Sequence, residues 1–420
     1  MTSAGDLLTL TIDRPAVGGR MIARHDGAIV LVAGAIPGER VTARVERVQR
    51  RTVFARTVEV LEPSPDRVAV DAGLACGGHV FAHIAAPRQA ALKAEMIADA
   101  FRRQGRLEIE AVPVATGPAD GYRTRARVHV RRGRWGFFEE GTHALCDITA
   151  SRQLRPASAA VLETLCAAVA ADPQVEAEVE WAESADGART AAHVALTAPG
   201  APPTIPVIDG LDGASWSDAR GRMRPLWGEP FVIDTLSLAG GAVATVNVRH
   251  HARAFFQGNR YLLQALVDDV VGRVTAPVVA DLYAGVGLFS LVLAAQGRAV
   301  EAVEGDDWAA GDLQANGGPT GRVHVHHRAV EIYVQRTRLD AFGTVVVDPP
   351  RTGLAPEVTT ALVGARVPRV VYVSCDPATL ARDARLFVDG GYAVSEVRAF
   401  DLFPRTAHVE TVLTLSRQDG

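Results

Sequence analysis

Residues 250–420 alternate short apolar runs with segments of helical spacing. Apolar runs that predict strands cover residues 278–282, 299–304, 323–325, 344–348, 370–375, 393–400 and 409–415. A helical run over residues 288–295 follows the first of them. Strands that alternate with helices pair mainly in parallel and carry helices on both faces of the sheet. The pattern therefore predicts a doubly wound α/β domain.

The first 62 residues have a different pattern, in which glycine and proline separate short β-type runs. The runs cover residues 7–12, 27–32, 41–48 and 52–61, with turn signals at Gly18-Gly19 and Pro37-Gly38. Closely spaced short strands with such turn residues favour a small β-barrel of the OB type. A linker is predicted at residues 63–65 (Pro-Ser-Pro).

The middle of the chain mixes helical and β patterns. A helix is predicted over residues 87–105, with proline at its start and glycine at its end, and another near residues 157–171. An arginine-rich strand lies between them, and a β-rich stretch ends at residues 243–248. We therefore expect three domains: a barrel (1–62), a mixed α+β middle domain (63–249) and the doubly wound domain (250–420). The helix 87–105 is expected to pack on the last of these.

Composition is that of a globular protein with more than one core. The chain has 420 residues, a length at which a protein usually divides into more than one core, and 48% of its residues are hydrophobic. Its four cysteines are too few and too scattered for a secreted disulfide framework. No signal peptide is visible, and Asp281, Gln296 and Arg298 interrupt the most apolar stretch. We expect a cytoplasmic monomer that does not associate with membranes.

Arginine is concentrated in two stretches although the net charge is −4. Six arginines and no acid fall within residues 123–134, and residues 40–56 are also arginine-rich. A strand would place Arg123, Arg125 and Arg127 on one face. The alternative is an ordinary solvated strand face. Two basic stretches in a mildly acidic chain favour a surface that follows nucleic-acid phosphates.

A glycine loop directly after strand 278–282 predicts adenosyl binding. Gly285 and Gly287 lie in this loop and precede a helical run, so a ligand can approach the backbone at a helix N-terminus. Nineteen residues after Gly285 the next strand ends in Glu304, whose carboxylate can accept hydrogen bonds from both ribose hydroxyls. The third glycine of the dinucleotide fingerprint is missing, which disfavours a dehydrogenase.

Three further strand ends carry reactive side chains. Strand 344–348 ends in Asp348, followed by two prolines and Arg351, where amine-directed methyltransferases commonly have an aromatic residue. Cys375 ends strand 370–375, at the sheet edge where ligands collect, although such a cysteine is more often a core residue. Glu410 lies in the last apolar run, two residues after His408, and a surface acid is its alternative.

Five stretches together resemble one family, the RNA uracil-C5 methyltransferases, which use S-adenosylmethionine to make 5-methyluridine in transfer or ribosomal RNA. The stretches are residues 255–259, 281–287, 348–351, 372–383 and 401–410, in the family's order. The resemblance implies a Rossmann-like methyltransferase sheet, S-adenosylmethionine as cofactor and RNA as partner. The N-terminal barrel is similar to the RNA-binding TRAM domain of many members, which favours ribosomal RNA over tRNA.

The resemblance also implies a role for each residue. Cys375 would add to carbon 6 of uracil as the nucleophile, and Glu410 would remove the proton from carbon 5. Cofactor contacts are expected from Gln257, Tyr283, Gly285, Gly287, Glu304 and Asp348. Substrate contacts are expected from Arg351 and His408, with Arg123, Arg125 and Arg127 following the RNA backbone.

The chain departs from the family at two places. Many members hold an iron–sulfur cluster on four cysteines. This chain has Cys76, His79 and, as the match to the last ligand, Cys146, with Val70 and Asp71 where another cysteine is expected. We therefore expect no cluster and no metal. Asp376 stands where the family usually has asparagine, and its charge is expected to raise the pKa of the adjacent thiol.

Two rival functions remain open from the sequence. A non-catalytic RNA-binding or RNA-folding protein could retain this scaffold, although the presence of Cys375, Glu410 and Glu304 argues against it. An amine-directed methyltransferase is disfavoured by Arg351 after the proline pair.

Overall fold

The N-terminal barrel is present. The computed structural model describes residues 2–70, 76–139, 141–200, 203–238 and 244–418. Its first strands are β1 (Leu7–Pro15), β2 (Met21–His25), β3 (Ala28–Ala33), β4 (Arg40–Gln49) and β5 (Thr52–Glu62). They form a closed barrel in the order β1-β2-β3-β5-β4, which confirms the predicted barrel. β2 is missing from the sequence-based prediction because only Met21 and Ala23 of its five residues are buried.

The middle of the chain forms a second sheet. Helices α1 (Ala86–Ala100) and α2 (Pro156–Ala170) match the two predicted there, and α1 continues through a π-helical turn, Phe101–Gly105. The strands are β6 (Val114–Ala115), β7 (Arg125–Arg131), β8 (Arg134–Phe138), β9 (Leu145–Cys146), β10 (Ala177–Glu183), β11 (Thr190–Leu196), β12 (Gly213–Ser217), β13 (Met223–Gly228), β14 (Phe231–Ser237) and β15 (Thr245–His251). Seven of them pair in the order β13-β12-β11-β10-β7-β8-β9, and β14 pairs with β15. Residue 243, in the predicted β-rich stretch, lies outside the described residues.

The C-terminal part is the predicted doubly wound sheet. Its elements are α3 (Leu263–Gly272), β16 (Val278–Leu282), α4 (Leu288–Ala295), β17 (Ala299–Glu304), α5 (Asp307–Gly317), β18 (Val323–His327), α6 (Val330–Arg336), β19 (Thr344–Val347), α7 (Pro356–Gly364), β20 (Arg369–Ser374), α8 (Pro377–Asp389), β21 (Tyr392–Phe400) and β22 (Glu410–Arg417). The order is β18-β17-β16-β19-β20-β22-β21-β6. The first five strands in this order are parallel, and β22 is antiparallel to both of its neighbours.

Buried side chains cover both faces of this sheet. Val279 and Val371 belong to one hydrophobic cluster, while Ala280 and Val370, which point to the opposite face, belong to the other. The strands therefore contain nearly continuous apolar runs, as expected when helices cover a parallel sheet on both sides. Among the described residues, no helix is long and apolar enough to cross a membrane.

Helix α1 joins the barrel to the doubly wound sheet. Leu92 and Met96 pack in the core of the barrel, whereas Ile97 and Phe101 pack in the core of the sheet. The last turn also lies against α8. Contacts therefore cross the expected domain boundary at residue 62 and the one at residue 249, and we retain these boundaries as a proposal about sequence modules.

Candidate active site

A cavity of about 620 Å³ lies at the carboxyl edge of the C-terminal sheet. Eight of the residues singled out from the sequence line it, namely Gln257, Tyr283, Gly285, Glu304, Asp348, Arg351, Cys375 and Glu410. Its volume is within the range of small-molecule sites, and the edge of an open α/β sheet is where such sites form. The topology thus brings residues that are up to 153 positions apart in sequence into one cavity.

The glycine loop is held in place by Glu304. Gly285 donates its backbone N–H to one carboxylate oxygen of Glu304 at 2.8 Å, and Gly305 and Asp306 donate theirs to the other, both at 2.7 Å. A carboxylate has about four acceptor positions, so acceptor capacity remains for a hydroxyl group of a ligand. Gly287 is not part of the cavity lining, and it begins α4 in the left-handed region with φ 96°. A Cβ there would lie 2.8 Å from Leu313, so its role is close packing of α4 on α5.

Two buried carboxyl groups lie at the ends of neighbouring strands. Burial raises the pKa of Asp281 to about 7, although a hydrogen bond from Ser290 acts to lower it. Burial, and then the nearby Asp281, raises the pKa of Asp348 to about 7, while a hydrogen bond from Gln257 lowers it. The amide of Gln257 is therefore oriented by Asp348 at the wall of the cavity.

Cys375 and Glu410 are neighbours because β20 and β22 are antiparallel. Ser374 pairs with Thr411, so the residue that follows β20 lies beside the residue that begins β22. Burial raises the pKa of the Cys375 thiol to about 11, Glu410 and Asp348 act in the same direction, and Arg351 lowers it by its charge and a hydrogen bond. The thiol is consequently protonated at neutral pH in the free protein.

The pKa of Glu410 is also raised well above its ordinary value. Burial is the main cause, the charge of Asp348 adds to it, and the guanidinium of Arg351 opposes it. Arg351 therefore favours the charged forms of both Cys375 and Glu410, the two groups that the resemblance implies in catalysis.

Asp376 does not act as expected. Its carboxylate accepts hydrogen bonds from the backbone N–H groups of Ala378 and Thr379, both at 2.9 Å, and so caps the N-terminus of α8. The groups that raise the pKa of the thiol are Glu410 and Asp348, after burial. An asparagine would form the same cap, so the exchange between the two residues preserves this helix start.

His408 is not part of the cavity lining. It is partly buried, and burial followed by the charge of Arg351 lowers its pKa to about 4, which leaves the imidazole neutral. Its ring lies edge-on to that of Phe403, with centroids 6.0 Å apart, and Phe403 does line the cavity. His408 therefore contacts a residue of the cavity wall and is not itself part of the lining.

The sequence did not identify three further residues of the cavity wall. Phe255 lines the cavity with 66% of its surface exposed, and Arg253 and Phe403 are also at the wall. All three lie in or beside stretches that carry the resemblance. The exposure of Phe255 is what marks it as a residue on which a planar ligand could stack, and exposure cannot be read from the sequence.

The arginines of the predicted basic strand lie in three different environments. Arg123 donates to the carbonyl of Arg125 at 2.6 Å, and Arg127 pairs with Glu180 at 2.7 Å. Arg125 donates to the carbonyl of Ala252 at 2.7 Å, and burial lowers its pKa to about 10. The guanidinium of Arg125 is therefore turned into the protein and joins β7 to the end of β15, which argues against the expected contact of Arg125 with the RNA backbone. The contacts expected of Arg123 and Arg127 stay a prediction.

Two cysteines of the middle region are bonded to each other. Cys76 and Cys146 are joined in a disulfide with Cα atoms 5.7 Å apart, and Nε2 of His79 lies 2.8 Å from the carbonyl oxygen of Ser151. Asp71 lies outside the described residues. Two bonded sulfurs and a histidine that contacts a carbonyl do not fit the four thiolates of an iron–sulfur cluster. Among the described residues, no group of three or more His, Cys, Asp or Glu could hold a metal ion.

Comparison with known proteins identifies the family. The family model described as tRNA (Uracil-5-)-methyltransferase matches residues 325–418, and the model of the TRAM domain matches residues 3–58. Relatives from Bordetella bronchiseptica and Halomonas elongata, both named 23S rRNA (uracil(1939)-C(5))-methyltransferase RlmD, are 32% and 34% identical to this chain. Both similarities extend over 98% of this chain, and over 93% and 90% of the relatives. The chain belongs to the RNA uracil-C5 methyltransferase family.

Membership in the uracil-C5 methyltransferase family confirms the predicted enzyme class and excludes a dehydrogenase. The fold agrees with it as well. The crystal structure of the Pyrococcus abyssi tRNA (uracil-54, C5)-methyltransferase with S-adenosyl-L-homocysteine is similar with a TM-score of 0.74. The similarity covers 97% of this chain and all of that one at 23% identity, so it shows the shared fold.

Proposed function

We propose that this protein transfers a methyl group from S-adenosylmethionine to carbon 5 of a uridine in ribosomal RNA, through a covalent adduct on Cys375. The observation that carries the proposal is the position of Cys375 and Glu410 on adjacent strand ends in the cavity that Glu304 and Asp348 also line. The named activity of the 32–34% identical relatives supports ribosomal RNA as the substrate class.

Cys375 serves as the nucleophile because carbon 5 of uracil is too weak a nucleophile by itself. The sulfur forms a bond to carbon 6, and the ring electrons become an enolate that makes carbon 5 reactive. The thiol must lose its proton first, and its pKa of about 11 makes this step unfavourable in the free site. Arg351, which hydrogen-bonds to Cys375, stabilises the thiolate.

Glu410 serves as the base that completes the reaction. After transfer, carbon 5 carries both a methyl group and a hydrogen, and the sulfur is still bound to carbon 6. The carboxylate of Glu410 takes the proton from carbon 5, the electrons of that bond restore the ring double bond, and the carbon–sulfur bond breaks. Cys375 is then free again, and the proton leaves through Glu410.

The residues of the cavity fit an adenosyl cofactor. Glu304 would accept a hydrogen bond from a ribose hydroxyl, Gly285 allows close approach to the backbone, and Tyr283 and Phe289 supply apolar wall. S-adenosylmethionine supplies a methyl group on a positively charged sulfonium, and a positive charge in this cavity favours the ionised forms of Cys375 and Glu410. Gln257 and Asp348 are oriented towards each other at the same wall.

Covalent capture tests the proposal. RNA that carries 5-fluorouridine should trap the wild-type enzyme in the presence of cofactor, because fluorine cannot leave as a proton from carbon 5. The adduct should survive a denaturing gel. Cys375→Ala should give no adduct, while Cys166→Ala is the matched control and should trap normally, since Cys166 is buried elsewhere in the chain. An adduct with Cys375→Ala would overturn the assignment.

Glu410→Gln separates the two catalytic roles. Addition and methyl transfer should still occur, but elimination should stall, so that adducts accumulate with ordinary RNA. Normal turnover by this variant would show that another group is the base.

The class of RNA, the oligomeric state and the cellular location of the protein are also part of the proposal. Mapping of 5-methyluridine in RNA from a strain that lacks the gene should show loss in ribosomal RNA and not in tRNA. A monomer of 44.5 kDa is expected in sedimentation experiments. Cell fractionation should place the protein in the cytoplasm.

A further inference from the structure

Three arginines surround a small notch at one edge of the seven-stranded sheet. The notch has a volume of about 310 Å³ and is lined by Arg131, Arg132, Arg134, His143, Ala144, Leu145 and Glu176. We call these residues the arginine notch. It lies at the turn between β7 and β8, away from the residues that line the catalytic cavity.

The turn places like charges opposite each other. Arg131 pairs with Arg134 across the hairpin, and Arg132 and Gly133 between them have φ 52° and 71°, the left-handed values of a two-residue hairpin turn. Like charges directly opposite each other destabilise a β-ladder. The register therefore places two exposed arginine side chains opposite each other, an arrangement that a bound anion would stabilise.

The notch itself offers little compensation. Within the described part of the chain, none of its three guanidinium groups forms an ion pair with a carboxylate, although the carboxyl group of Glu176 lies in the lining. Arg131 lies over the ring of Phe138, 5.2 Å from its centroid. By contrast, Arg127 on the same strand pairs with Glu180. Three positive charges against one negative charge give the notch an excess of positive charge, which favours an anion.

We propose that the arginine notch binds backbone phosphate of the RNA substrate. Guanidinium groups bind phosphate through paired, charge-assisted hydrogen bonds, and several arginines can share one or two phosphates. This inference rests on the proposed function, since it takes the RNA as the source of the phosphate. Free phosphate has the same chemistry, so the experiment compares the two.

The strand β7 connects the notch to the catalytic cavity. Thr124, just before β7, donates its N–H to the carbonyl of Gly258 at 3.0 Å, next to the cavity residue Gln257. The seven residues of β7 span roughly 23 Å. An RNA strand that places its uridine beside Cys375 can therefore reach the notch with a phosphate several nucleotides away. Such a contact positions the RNA without reading its sequence.

The test removes the three charges while keeping the turn. The variant Arg131→Gln, Arg132→Asn, Arg134→Gln retains an Asn-Gly turn, which suits the left-handed conformation. The matched control is Arg220→Gln, Arg222→Gln, Arg224→Gln, which removes three charges at and before β13, the opposite edge strand of the same sheet. RNA affinity is measured from about 0.05 to 0.3 M salt, with and without excess inorganic phosphate.

The notch variant should bind RNA at least about tenfold more weakly at low salt, and its slope of log affinity against log salt should fall by about 0.7 for each RNA phosphate that the variant no longer binds. The control should change neither. If millimolar inorganic phosphate binds to the wild type but not to the notch variant, and the RNA slope is the same in both proteins, the notch binds free phosphate and the inference is overturned. Unchanged affinity and slope overturn it as well.

Capture with 5-fluorouridine RNA distinguishes this inference from the proposed function. At saturating RNA the notch variant should be trapped as completely as the wild type. Normal trapping with unaltered RNA binding rejects the notch alone. Absence of trapping in the wild type, together with a reduced salt slope in the variant, rejects the proposed chemistry and leaves the notch as an RNA-binding site.

Discussion

The thiol of Cys375 combines a position in the proposed active site with a raised pKa. Ordinary cysteine thiols ionise near pH 8.5, so their alkylation rate levels off above about pH 9. With a pKa of about 11, the Cys375 thiolate fraction should keep rising about tenfold for each pH unit up to about pH 10. The rate of iodoacetamide alkylation, measured by mass spectrometry of the Cys375 peptide, should follow this slope. A plateau near pH 9 would contradict the raised pKa.

Substitutions of Glu410 and Arg351 should shift the pH dependence of Cys375 alkylation in opposite directions. Glu410→Gln removes a group that raises the pKa of the thiol, so the curve should move to lower pH. Arg351→Gln removes a group that lowers it, so the curve should move to higher pH. Cys166 is the internal control, because it is buried and should remain unmodified in all three proteins.

At the scale of residues, the sequence predicted most of the cavity but not the orientation of individual side chains. Cys375, Glu304 and Glu410 follow or begin apolar runs, and strand ends of a doubly wound sheet meet at one edge. Arg125 and Asp376 could not be predicted in the same way. Their partners are backbone groups of the chain, the carbonyl of Ala252 and the start of α8, whose positions depend on the folded structure.

At the scale of elements, Lys93 fixes the segment that carries part of the cavity wall. It lies on α1, is fully buried, and forms an ion pair with Asp401 and a hydrogen bond with the carbonyl of Phe403 at 3.1 Å. Lys93→Met should leave the Asp401 carboxylate buried without its partner and lower the free energy of unfolding by about 3–5 kcal/mol. Urea unfolding measures this loss.

The double variant Lys93→Met, Asp401→Asn distinguishes the contribution of the ion pair to stability from that of the packing of α1. Removing both charges should recover most of the stability, because the cost arises from one unpaired buried charge. Equal stability of the single and double variants would mean that the ion pair is not what holds the segment. The sequence contains the only lysine of the chain at this position, but its partner is 308 residues away and belongs to another part of the fold.

The middle sheet offers a second prediction at this scale. Purified without reductant and then denatured, the protein should show two free thiols, Cys166 and Cys375, and four after reduction. Anaerobically purified protein should contain neither iron nor sulfide, and should lack the visible absorption of a cluster. Reduction should cost about 4 kcal/mol in stability, because the disulfide closes a loop of 70 residues. Stoichiometric iron and sulfide would show that further ligands exist.

Most elements could be predicted because each has enough residues to show its period. All seven strands predicted for the C-terminal sheet are present, and the run 278–282 matches β16 residue for residue. The edge strand β6 has only two residues, comes from the middle part of the chain and pairs with β21 of the C-terminal sheet. No local pattern distinguishes such a strand from a loop, so only the folded chain reveals it.

At the scale of the whole molecule, positive charge is placed where the barrel and the middle sheet turn. The net charge is −4, so any attraction for RNA depends on local clusters. Arg50 and Arg51 form the two-residue turn between β4 and β5, and both are exposed. The arginine notch occupies a comparable turn in the middle sheet. Neither turn contributes to the cavity lining, so we expect RNA affinity and catalysis to depend on different parts of the molecule.

This separation predicts the effect of changing the barrel turn. Arg50→Asn, Arg51→Gln should weaken RNA binding several-fold and reduce the salt slope by about 0.7 for each RNA phosphate that the turn no longer binds. Asparagine suits the left-handed conformation of residue 50, which has φ 54°, so the thermal unfolding temperature should not change. Cofactor affinity, measured by calorimetry, should also stay the same. The control Arg220→Gln, Arg224→Gln should leave RNA binding unaffected. If the barrel variant binds RNA with the wild-type salt slope, the barrel turn binds no phosphate, and the electrostatic part of RNA affinity comes from other basic groups, of which the arginine notch is the one proposed here.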